Sequence, residues 1–154
     1  MAGSGAQRFA AATAHLGLVP QRMPDSTHTA AEAAAAVGCE VGAIVKSLVF
    51  LADGEPVLVL VSGDNLADLE RLSAVVQAEI SKADARTVKS ATGFSIGGVP
   101  PIGHPVPVRT IVDESLLRFE TVWSAAGDAQ TVFPASPLDL LAWSGGTLAA
   151  VGTR

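Results

Sequence analysis

Lys46 is the residue of this sequence whose setting points most clearly to chemistry. It lies inside the apolar run 44–50 (I-V-K-S-L-V-F), in which Ser47 is the other polar residue. An ammonium group among apolar side chains is costly unless it reaches a cleft or an anionic partner. We therefore predict that the Lys46 amine opens into a cleft that faces the loop at 97–104. The alternative is that the amine reaches a strand edge and has no function.

The loop at 97–104 (G-G-V-P-P-I-G-H) is the second chemical signal. Closely spaced glycines let backbone N–H groups approach a ligand or a developing oxyanion without obstruction by side chains. Pro100 and Pro101 carry no N–H group. The available donors are therefore Gly97, Gly98, Val99, Ile102, Gly103 and His104. The alternative is a rigid surface turn, and the loop matches neither a Walker phosphate loop nor a dinucleotide-binding fingerprint.

Two histidines and one pair of carboxylates are further candidates. His28 and His104 lie in polar segments rich in threonine, glycine or proline, where a histidine is either exposed near a site or merely a surface residue. Asp113 and Glu114 follow a predicted strand and are candidates for general acid–base catalysis. Asp113 is explained equally well as the cap of the turn that follows it.

One basic stripe and one cysteine complete the set. Lys82, Arg86 and Lys89 are spaced i, i+4 and i+7, which places them on one face of a predicted helix. That face is either solvated or a small contact surface for phosphates. Cys39 lies beside a predicted helix end among apolar residues, which favours packing over a nucleophilic role.

The composition predicts one soluble, cytoplasmic domain that spans residues 1–154. Hydrophobic residues make up 49 % of the chain and charged residues 16 %, so a large part of the chain must be buried. The apolar stretches are shorter than the ~20 residues that cross a bilayer, and the N-terminal residues lack the pattern of a secretion signal. The formal net charge of −5 excludes an extended duplex-binding surface. One cysteine and three scattered histidines form no metal-binding motif, so we predict no metal and no cofactor.

The elements that must position these residues follow from periodicity, caps and turns. Apolar spacing, capping residues and glycine stops predict helices at 5–17, 29–38, 68–76, 82–92 and 136–145. Apolar runs between turn residues predict strands at 44–51, 56–62, 94–96, 106–112, 121–123, 130–133 and 147–151, the fourth of them at a sheet edge. Asp53-Gly54 predicts a hairpin between the first two strands. The mixture predicts an α/β domain with a mixed, curved, barrel-like sheet flanked by helices.

Six segments in this order resemble the YbaK/ProX/EbsC family, the stand-alone relatives of the editing domain of bacterial prolyl-tRNA synthetases. The segments are T-A-A-E at 29–32, I-V-K-S-L-V-F, V-L-V-L-V-S-G-D, T-G-F-S-I-G-G-V-P-P-I-G-H, I-V-D-E-S-L and S-P-L-D-L-L. The resemblance covers roughly residues 25–150. The combination of the lysine strand with the glycine loop carries most of its specificity.

The resemblance implies metal-independent hydrolysis of the ester between a wrong amino acid and the 3′-terminal adenosine of a tRNA. It implies that Lys46 contacts the terminal phosphate or the aminoacyl group, and that Gly97, Gly98 and Gly103 belong to a loop whose amides face the ester carbonyl. A ribose hydroxyl of the substrate helps to activate water. Around these residues we predict substrate-binding positions at His28, Thr29, Ser47, Val99, Pro101 and His104. The pocket is expected to be small and neutral, which favours alanine, cysteine, serine or proline.

The implied partners are the tRNA 3′ acceptor end and, as a second partner, an aminoacyl-tRNA synthetase. An enzyme that reads only a single-stranded end touches few phosphates and can be acidic overall. Two other functions stay open at this point. One is a binding module of the same fold without activity, which holds an aminoacyl or nucleotide ligand or a synthetase. The other is an unrelated small-molecule hydrolase that uses Asp113 or His104.

Overall fold

The computed structural model describes residues 3–25, 27 and 29–154. The strands are β1 Gln21–Arg22, β2 Val45–Ala52, β3 Glu55–Ser62, β4 Leu66–Ala67, β5 Ile80–Lys82, β6 Arg109–Asp113, β7 Val122–Ala125, β8 Thr131–Ala135, β9 Thr147–Ala149 and β10 Gly152–Thr153. The helices are α1 Gly5–Ala12, α2 Ala30–Val37, α3 Leu69–Val76, α4 Ala85–Thr92 and α5 Pro137–Ser144. Short 3₁₀ turns lie at Ala14–Leu16, Val41–Ala43 and Glu114–Arg118.

The largest sheet is mixed and open. Its strand order is β5-β2-β3-β6-β9, with β2 antiparallel to β3 and β5, and with β6 parallel to β3 and β9. The predicted mixed α/β class is therefore confirmed. The predicted barrel-like closure is wrong, because β5 and β9 are free edges and the antiparallel strands β1, β8 and β7 form a separate sheet.

Strand β3 is the centre of the core. Every residue from Val57 to Val61 is fully buried, and alternate residues point into two different clusters. Leu58 and Leu60 pack in the cluster that contains Phe9, Phe94 and Phe133. Val57, Val59 and Val61 pack against α3 in the other cluster. The sheet is thus covered on both faces, as the continuous apolar run predicts.

The helix ends follow the predicted capping chemistry in α2 and α5. Thr29 and Glu32 form a reciprocal capping box at the start of α2, and Gly38 ends it with φ +77°. Ser136 caps α5 before Pro137. The first helix is shorter than predicted and ends at Ala12, where the Thr13 hydroxyl donates to the Phe9 carbonyl and a 3₁₀ turn follows.

Three predicted elements around the glycine loop are corrected by the structure. The helix expected at 82–92 begins at Ala85, because Asp84 caps it through the Thr87 N–H group, and Lys82 ends strand β5 instead. The strand expected at 94–96 is a turn. The strand expected at an edge over 106–112 starts after the prolines, at Arg109, and lies between β3 and β9 inside the sheet.

The two larger sheets pair at one position. An isolated parallel bridge pairs Ile44 with Trp123, just before β2 and within β7. On that same side β2 pairs with β5 only from Phe50 onward. Among the described residues, the intervening stretch 45–49 therefore has a strand neighbour on the β3 side alone. The gap beside this stretch positions the candidate site.

Candidate active site

A cavity of about 320 Å³ fills the gap between β2 and β7. Helix α2 closes one side of it and the loop at 96–99 closes another. Residues that line it include Ala33 from α2, Lys46 and Ser47 from β2, Gly97 and Val99 from the loop, and Ser124 from β7. The lysine strand and the start of the glycine loop, which the sequence singled out separately, thus meet at one cavity.

Lys46 lines this cavity, but its amine is held at one end of it. The Nζ atom donates a hydrogen bond to the backbone carbonyl of Asn65. Burial lowers the pKa of Lys46, and the negative charges of Asp64 and Asp113 partly offset that effect. The predicted cleft shared with the loop is present, whereas the amine itself points to Asn65 and not to the loop.

Some backbone groups of the glycine loop form hydrogen bonds within the protein, and others belong to residues that line the cavity. The Gly98 N–H group donates to the Ser95 carbonyl at 2.9 Å, and the Gly98 carbonyl accepts from the Gly127 N–H group at 3.1 Å. A Cβ atom on Gly98 would lie 2.7 Å from the Asp128 Cα, so only glycine fits there. Gly98 therefore fastens the loop to the turn between β7 and β8.

Gly97 and Val99 are the residues of the 97–104 loop that line this cavity. Within the described residues, neither N–H group has a hydrogen-bond acceptor. Gly97 has φ +90°, a conformation that favours glycine. Both residues line the cavity, so their N–H groups are the ones available to a ligand carbonyl.

Two threonines line the cavity with hydroxyl groups that are already occupied. The Thr29 hydroxyl bonds to the Glu32 carboxylate at 3.0 Å as part of the α2 cap. The Thr27 hydroxyl donates to the Ala129 carbonyl at 2.8 Å. Thr29 thus takes the predicted position at the site through its place in the wall. His28, also predicted here, lies outside the described residues.

Two serines also line the cavity, and their hydroxyl groups differ from those of the threonines in having no hydrogen-bond partner in the described part of the chain. Ser47 Oγ and Ser124 Oγ are buried and have no hydrogen-bond partner among the described residues. Ser124 is 1 % exposed. Ser47 was predicted as a binding residue, but nothing in the sequence around Ser124 distinguishes it, because the cavity wall forms only when β7 packs beside β2.

The second half of the glycine loop lies elsewhere. Pro101, Gly103 and His104 line a different cavity, of about 210 Å³, beside Trp143. The His104 Nε2 atom lies 2.8 Å from the Pro100 carbonyl, and burial lowers the pKa of its ring. Gly103 has φ +84° and packs against Phe9. The structure therefore does not bring these three predicted residues to the Lys46 cavity.

The Asp113 carboxylate is part of a closed, buried hydrogen-bond network and is not exposed to solvent. It is fully buried, and its Oδ2 atom accepts hydrogen bonds from the Ser62 N–H group at 3.1 Å and the Asn65 amide at 3.0 Å. Its Oδ1 atom accepts from the Ser115 N–H group at 3.0 Å. Of the two interpretations of Asp113, the structure therefore supports the cap of the following turn and not the general acid, and the same carboxylate holds the turn whose Asn65 carbonyl accepts from Lys46.

Asp64 forms an ionic cluster at the surface next to this network. Its carboxylate lies 3.1 Å from Arg118 and 3.2 Å from Arg154. Burial opposes ionisation, but hydrogen bonds from Ser62 and Arg118 and the charges of both arginines outweigh it and lower the pKa of Asp64.

The basic stripe that the sequence predicts does not lie on one helix. Lys82 is the last residue of β5, whereas Arg86 and Lys89 lie on α4.

Neither a metal-binding cluster nor a membrane-spanning helix is found in the described part of the chain. Over residues 3–25, 27 and 29–154, no group of three or more His, Cys, Asp or Glu side chains is placed to hold a metal ion. None of the helices described there has the length and apolar character needed to cross a bilayer. Burial raises the pKa of the Cys39 thiol, in keeping with a packing residue.

Comparison with known proteins gives consistent matches. Residues 24–142 match the family described as the aminoacyl-tRNA editing domain. A crystal structure described as a "putative trans-editing enzyme for prolyl tRNA synthetase" superposes with a TM-score of 0.92 at 41 % identity, covering 100 % of both chains. The uncharacterized protein YwhH of Bacillus subtilis is 31 % identical over 77 % of this chain and 76 % of its own length.

A proline–tRNA ligase of Maridesulfovibrio salexigens is 38 % identical over 66 % of this chain. The matched segment is 17 % of that ligase, and a ligase of Lactobacillus helveticus gives the same share. The chain thus spans a small part of the ligases that it matches.

Proposed function

The chain belongs to the aminoacyl-tRNA editing domain family, and we propose that residues 1–154 form one trans-acting deacylase of mischarged tRNA. Its substrate is the ester between a small amino acid and the 3′-terminal adenosine. The observation that carries the proposal is the cavity that Lys46, Gly97 and Val99 line together, with no acceptor for the N–H groups of Gly97 and Val99 among the described residues. No metal or cofactor takes part in this reaction.

The chemistry asked of the protein is modest. An aminoacyl ester is already activated, so positioning a water and stabilising the oxyanion are sufficient. The N–H groups of Gly97 and Val99 donate to the ester carbonyl oxygen as negative charge develops there. Water adds to the carbonyl carbon, the bond to the ribose oxygen breaks, and that oxygen leaves with a proton. A neighbouring ribose hydroxyl of the substrate assists the water, so no protein nucleophile is needed.

Lys46 supplies the positive charge of the cavity. Its amine is held by a single neutral carbonyl, that of Asn65, so an arriving phosphate oxygen offers it a charged partner. Burial lowers the pKa of the Lys46 amine, and the same low-dielectric setting strengthens its attraction to a bound phosphate. We assign Lys46 to the phosphate or aminoacyl group of the terminal nucleotide.

The partners follow from the charge of the molecule. With a net charge of −5, the protein binds the tRNA through its 3′ end and touches few phosphates. We propose that a prolyl-tRNA synthetase supplies the remaining affinity, in keeping with the relatives that carry this domain inside such an enzyme. Such an editing enzyme acts in the cytoplasm, where charged tRNA is used.

The test is a deacylation screen across a full set of charged tRNAs without added metal. We expect one or a few small amino acids to be released well above the spontaneous rate. Lys46→Ala should lower kcat/KM by about 100-fold, the scale of losing one buried charged contact to the substrate. Arg71→Ala, which removes an exposed cation on α3, should retain activity.

Two outcomes would contradict the proposal. Release from none of the charged tRNAs would favour a binding module of the same fold. Lys46→Ala activity within about twofold of the wild type would remove Lys46 from the site, because a twofold change is far smaller than the loss of a charged contact. Circular dichroism and thermal melting of the variant verify that the fold is intact.

A further inference from the structure

Helix α1 contacts the chain directly before the turn that presents Gly97. The helix precedes the segment 24–142 that matches the family, so the match gives it no role. The Arg8 Nη1 atom donates a hydrogen bond to the Gly93 carbonyl at 2.6 Å. The Arg8 Cζ atom lies 4.8 Å from the centre of the Phe94 ring, which is the geometry of a cation–π contact. One side chain of α1 thus holds two consecutive residues at the start of the turn.

The same helix supports the end of the turn through the residues that connect β7 and β8. The Gly127 N–H group donates to the Gly98 carbonyl at 3.1 Å. A Cβ atom on Gly5 would overlap the Gly127 carbonyl, and a Cβ atom on Gly127 would overlap the Gly5 carbonyl. Because both residues are glycines, the backbone of α1 lies directly against the backbone that holds Gly98.

The segment between these two supports is short. Residues 95–98 form one turn, in which the Gly98 N–H group donates to the Ser95 carbonyl at 2.9 Å. Gly97 lies inside this turn and Val99 follows it, and both line the candidate site. A turn of four residues has few dihedral angles that could absorb a displacement of its ends. A change at the support from α1 is therefore passed on to the direction of the two N–H groups.

The guanidinium of Arg8 is used for backbone contacts and not for an ion pair. Salt bridges in the described residues involve the other arginines Arg22, Arg71, Arg118 and Arg154. The half-buried Arg8 side chain instead donates to the carbonyls of Gly3 and Gly93. Hydrogen bonds from a charged donor are roughly twice as strong as those between neutral groups. Arg8 thus links α1 to the start of the turn by a directional, charge-assisted contact.

From these contacts we infer that Arg8 is a positioning residue for the proposed deacylase reaction. It fixes the turn 95–98 and thereby the direction of the two N–H groups that donate to the ester carbonyl. The inference rests on the proposed function and adds to it a residue that does not line the cavity. Oxyanion donors act mainly in the transition state, so Arg8 acts on the rate of the chemical step and not on substrate binding.

The experiment measures hydrolysis of an aminoacylated 3′-end mimic, with whichever of its alanyl, cysteinyl, seryl and prolyl esters the wild type hydrolyses fastest. Arg8→Met keeps the apolar stem of the side chain but removes its charge and its donors. We expect kcat to fall roughly 10- to 100-fold with KM within about twofold of the wild type, because a small misplacement of catalytic groups has effects of this size. Arg8→Lys restores a charged donor and should recover a large part of kcat.

Two control variants separate positioning from a general loss of stability. Arg71→Met makes the same substitution at a cation on α3 and should leave kcat and KM unchanged. Ser73→Ala breaks a hydrogen bond to the Ala78 carbonyl, which lowers stability away from the loop, and should also retain kcat. Hydrogen exchange gives a readout that does not depend on activity. The Gly98 amide should exchange about tenfold faster in Arg8→Met, the scale of one lost hydrogen bond, but not in Ser73→Ala.

The other outcomes overturn the inference or decide it without activity. Wild-type kcat in Arg8→Met, an equal fall in Ser73→Ala, or equal kcat in Arg8→Met and Arg8→Lys overturns the inference and leaves the deacylase function standing. A rise in KM at unchanged kcat also overturns it, because Arg8 would then act on binding. If the wild type hydrolyses none of the four esters, the proposed function fails and the exchange of the Gly98 amide decides. Faster exchange in Arg8→Met alone supports the fixing of the turn, and unchanged exchange overturns it in every case.

Discussion

The buried polar groups around Lys46 fall into two regions with opposite hydrogen bonding. At the end of β3, the carboxylate of Asp113 has donors on both of its oxygens, and the Asn65 amide is one of them. In the gap between β2 and β7, the hydroxyls of Ser47 and Ser124 have no partner among the described residues. The first region is closed and the second is open.

This difference separates a hydrogen-bonded network that stabilises the fold from hydroxyl groups that make no such contribution. A satisfied network stabilises the fold and fixes the position of the groups within it. A buried hydroxyl without a partner costs stability. Lys46 joins the two regions, because its amine contacts the closed network through the Asn65 carbonyl while its strand lines the open cavity.

The largest loss of stability is expected when the closed network around Asp113 is disrupted. Asp113→Ala leaves the Ser62 and Ser115 N–H groups and the Asn65 amide without their acceptor. We expect the free energy of unfolding to fall by about 3–5 kcal/mol, measured by urea denaturation. Asp113→Asn keeps one acceptor oxygen and should lose less. A loss below about 1 kcal/mol in Asp113→Ala would show that the network does not stabilise the fold.

A smaller change in stability, of opposite sign, is expected when a hydroxyl is removed from the open region. Ser124→Ala deletes a buried hydroxyl without a partner, so the unliganded protein should become more stable by about 1 kcal/mol, or roughly 2–4 °C in Tm. The matched control is Ser73→Ala, whose hydroxyl donates to the Ala78 carbonyl at 2.6 Å and whose loss should be destabilising. Thermal melting of the two variants must give shifts of opposite sign. A fall in Tm for Ser124→Ala would mean that the hydroxyl is already satisfied.

The smallest effect concerns the ionic cluster at the border of the closed region. The folded pKa of Asp64 lies below its ordinary value of 3.8, so at low pH the unfolded chain binds a proton that the folded chain does not. The stability that Asp64 contributes is therefore present above pH 3.8 and is lost as the pH falls through 3.8 toward the folded pKa. Asp64→Asn should flatten the acid limb of a plot of unfolding free energy against pH.

Asp25→Asn, at an exposed position, serves as the control for this measurement. It should leave the shape of the wild-type curve unchanged. An acid limb that is equally steep in Asp64→Asn and the wild type would remove Asp64 from the account of acid stability.

Local chemistry predicts local structure well in this chain, and it fails where distant segments meet. The α2 cap at Thr29 and the hairpin turn at Asp53 need only a few neighbouring residues, and both were predicted. The interior position of β6 was not, because it depends on β9 returning in parallel from the far end of the chain.

The candidate site shows the same limit. Lys46 and Gly97 stand out because their residue types are unusual in their local setting, and the structure brings them to one cavity. Gly98 was predicted to donate to a ligand, but its fit against Asp128 is a contact between segments that no local pattern reveals. The unpartnered hydroxyl of Ser124 is likewise invisible in the sequence, because its burial depends on how β7 packs in the folded molecule.

The gap beside β2 has a consequence for the aggregation of this protein. Between residues 45 and 49, one side of β2 has no strand neighbour among the described residues. Unpaired strand edges with apolar side chains recruit other chains and start aggregation. Helix α2 and the loop at 96–99 line the cavity beside this stretch. Heat or a mutation that loosens either segment would expose this strand edge, so we expect aggregation to begin beside the candidate site.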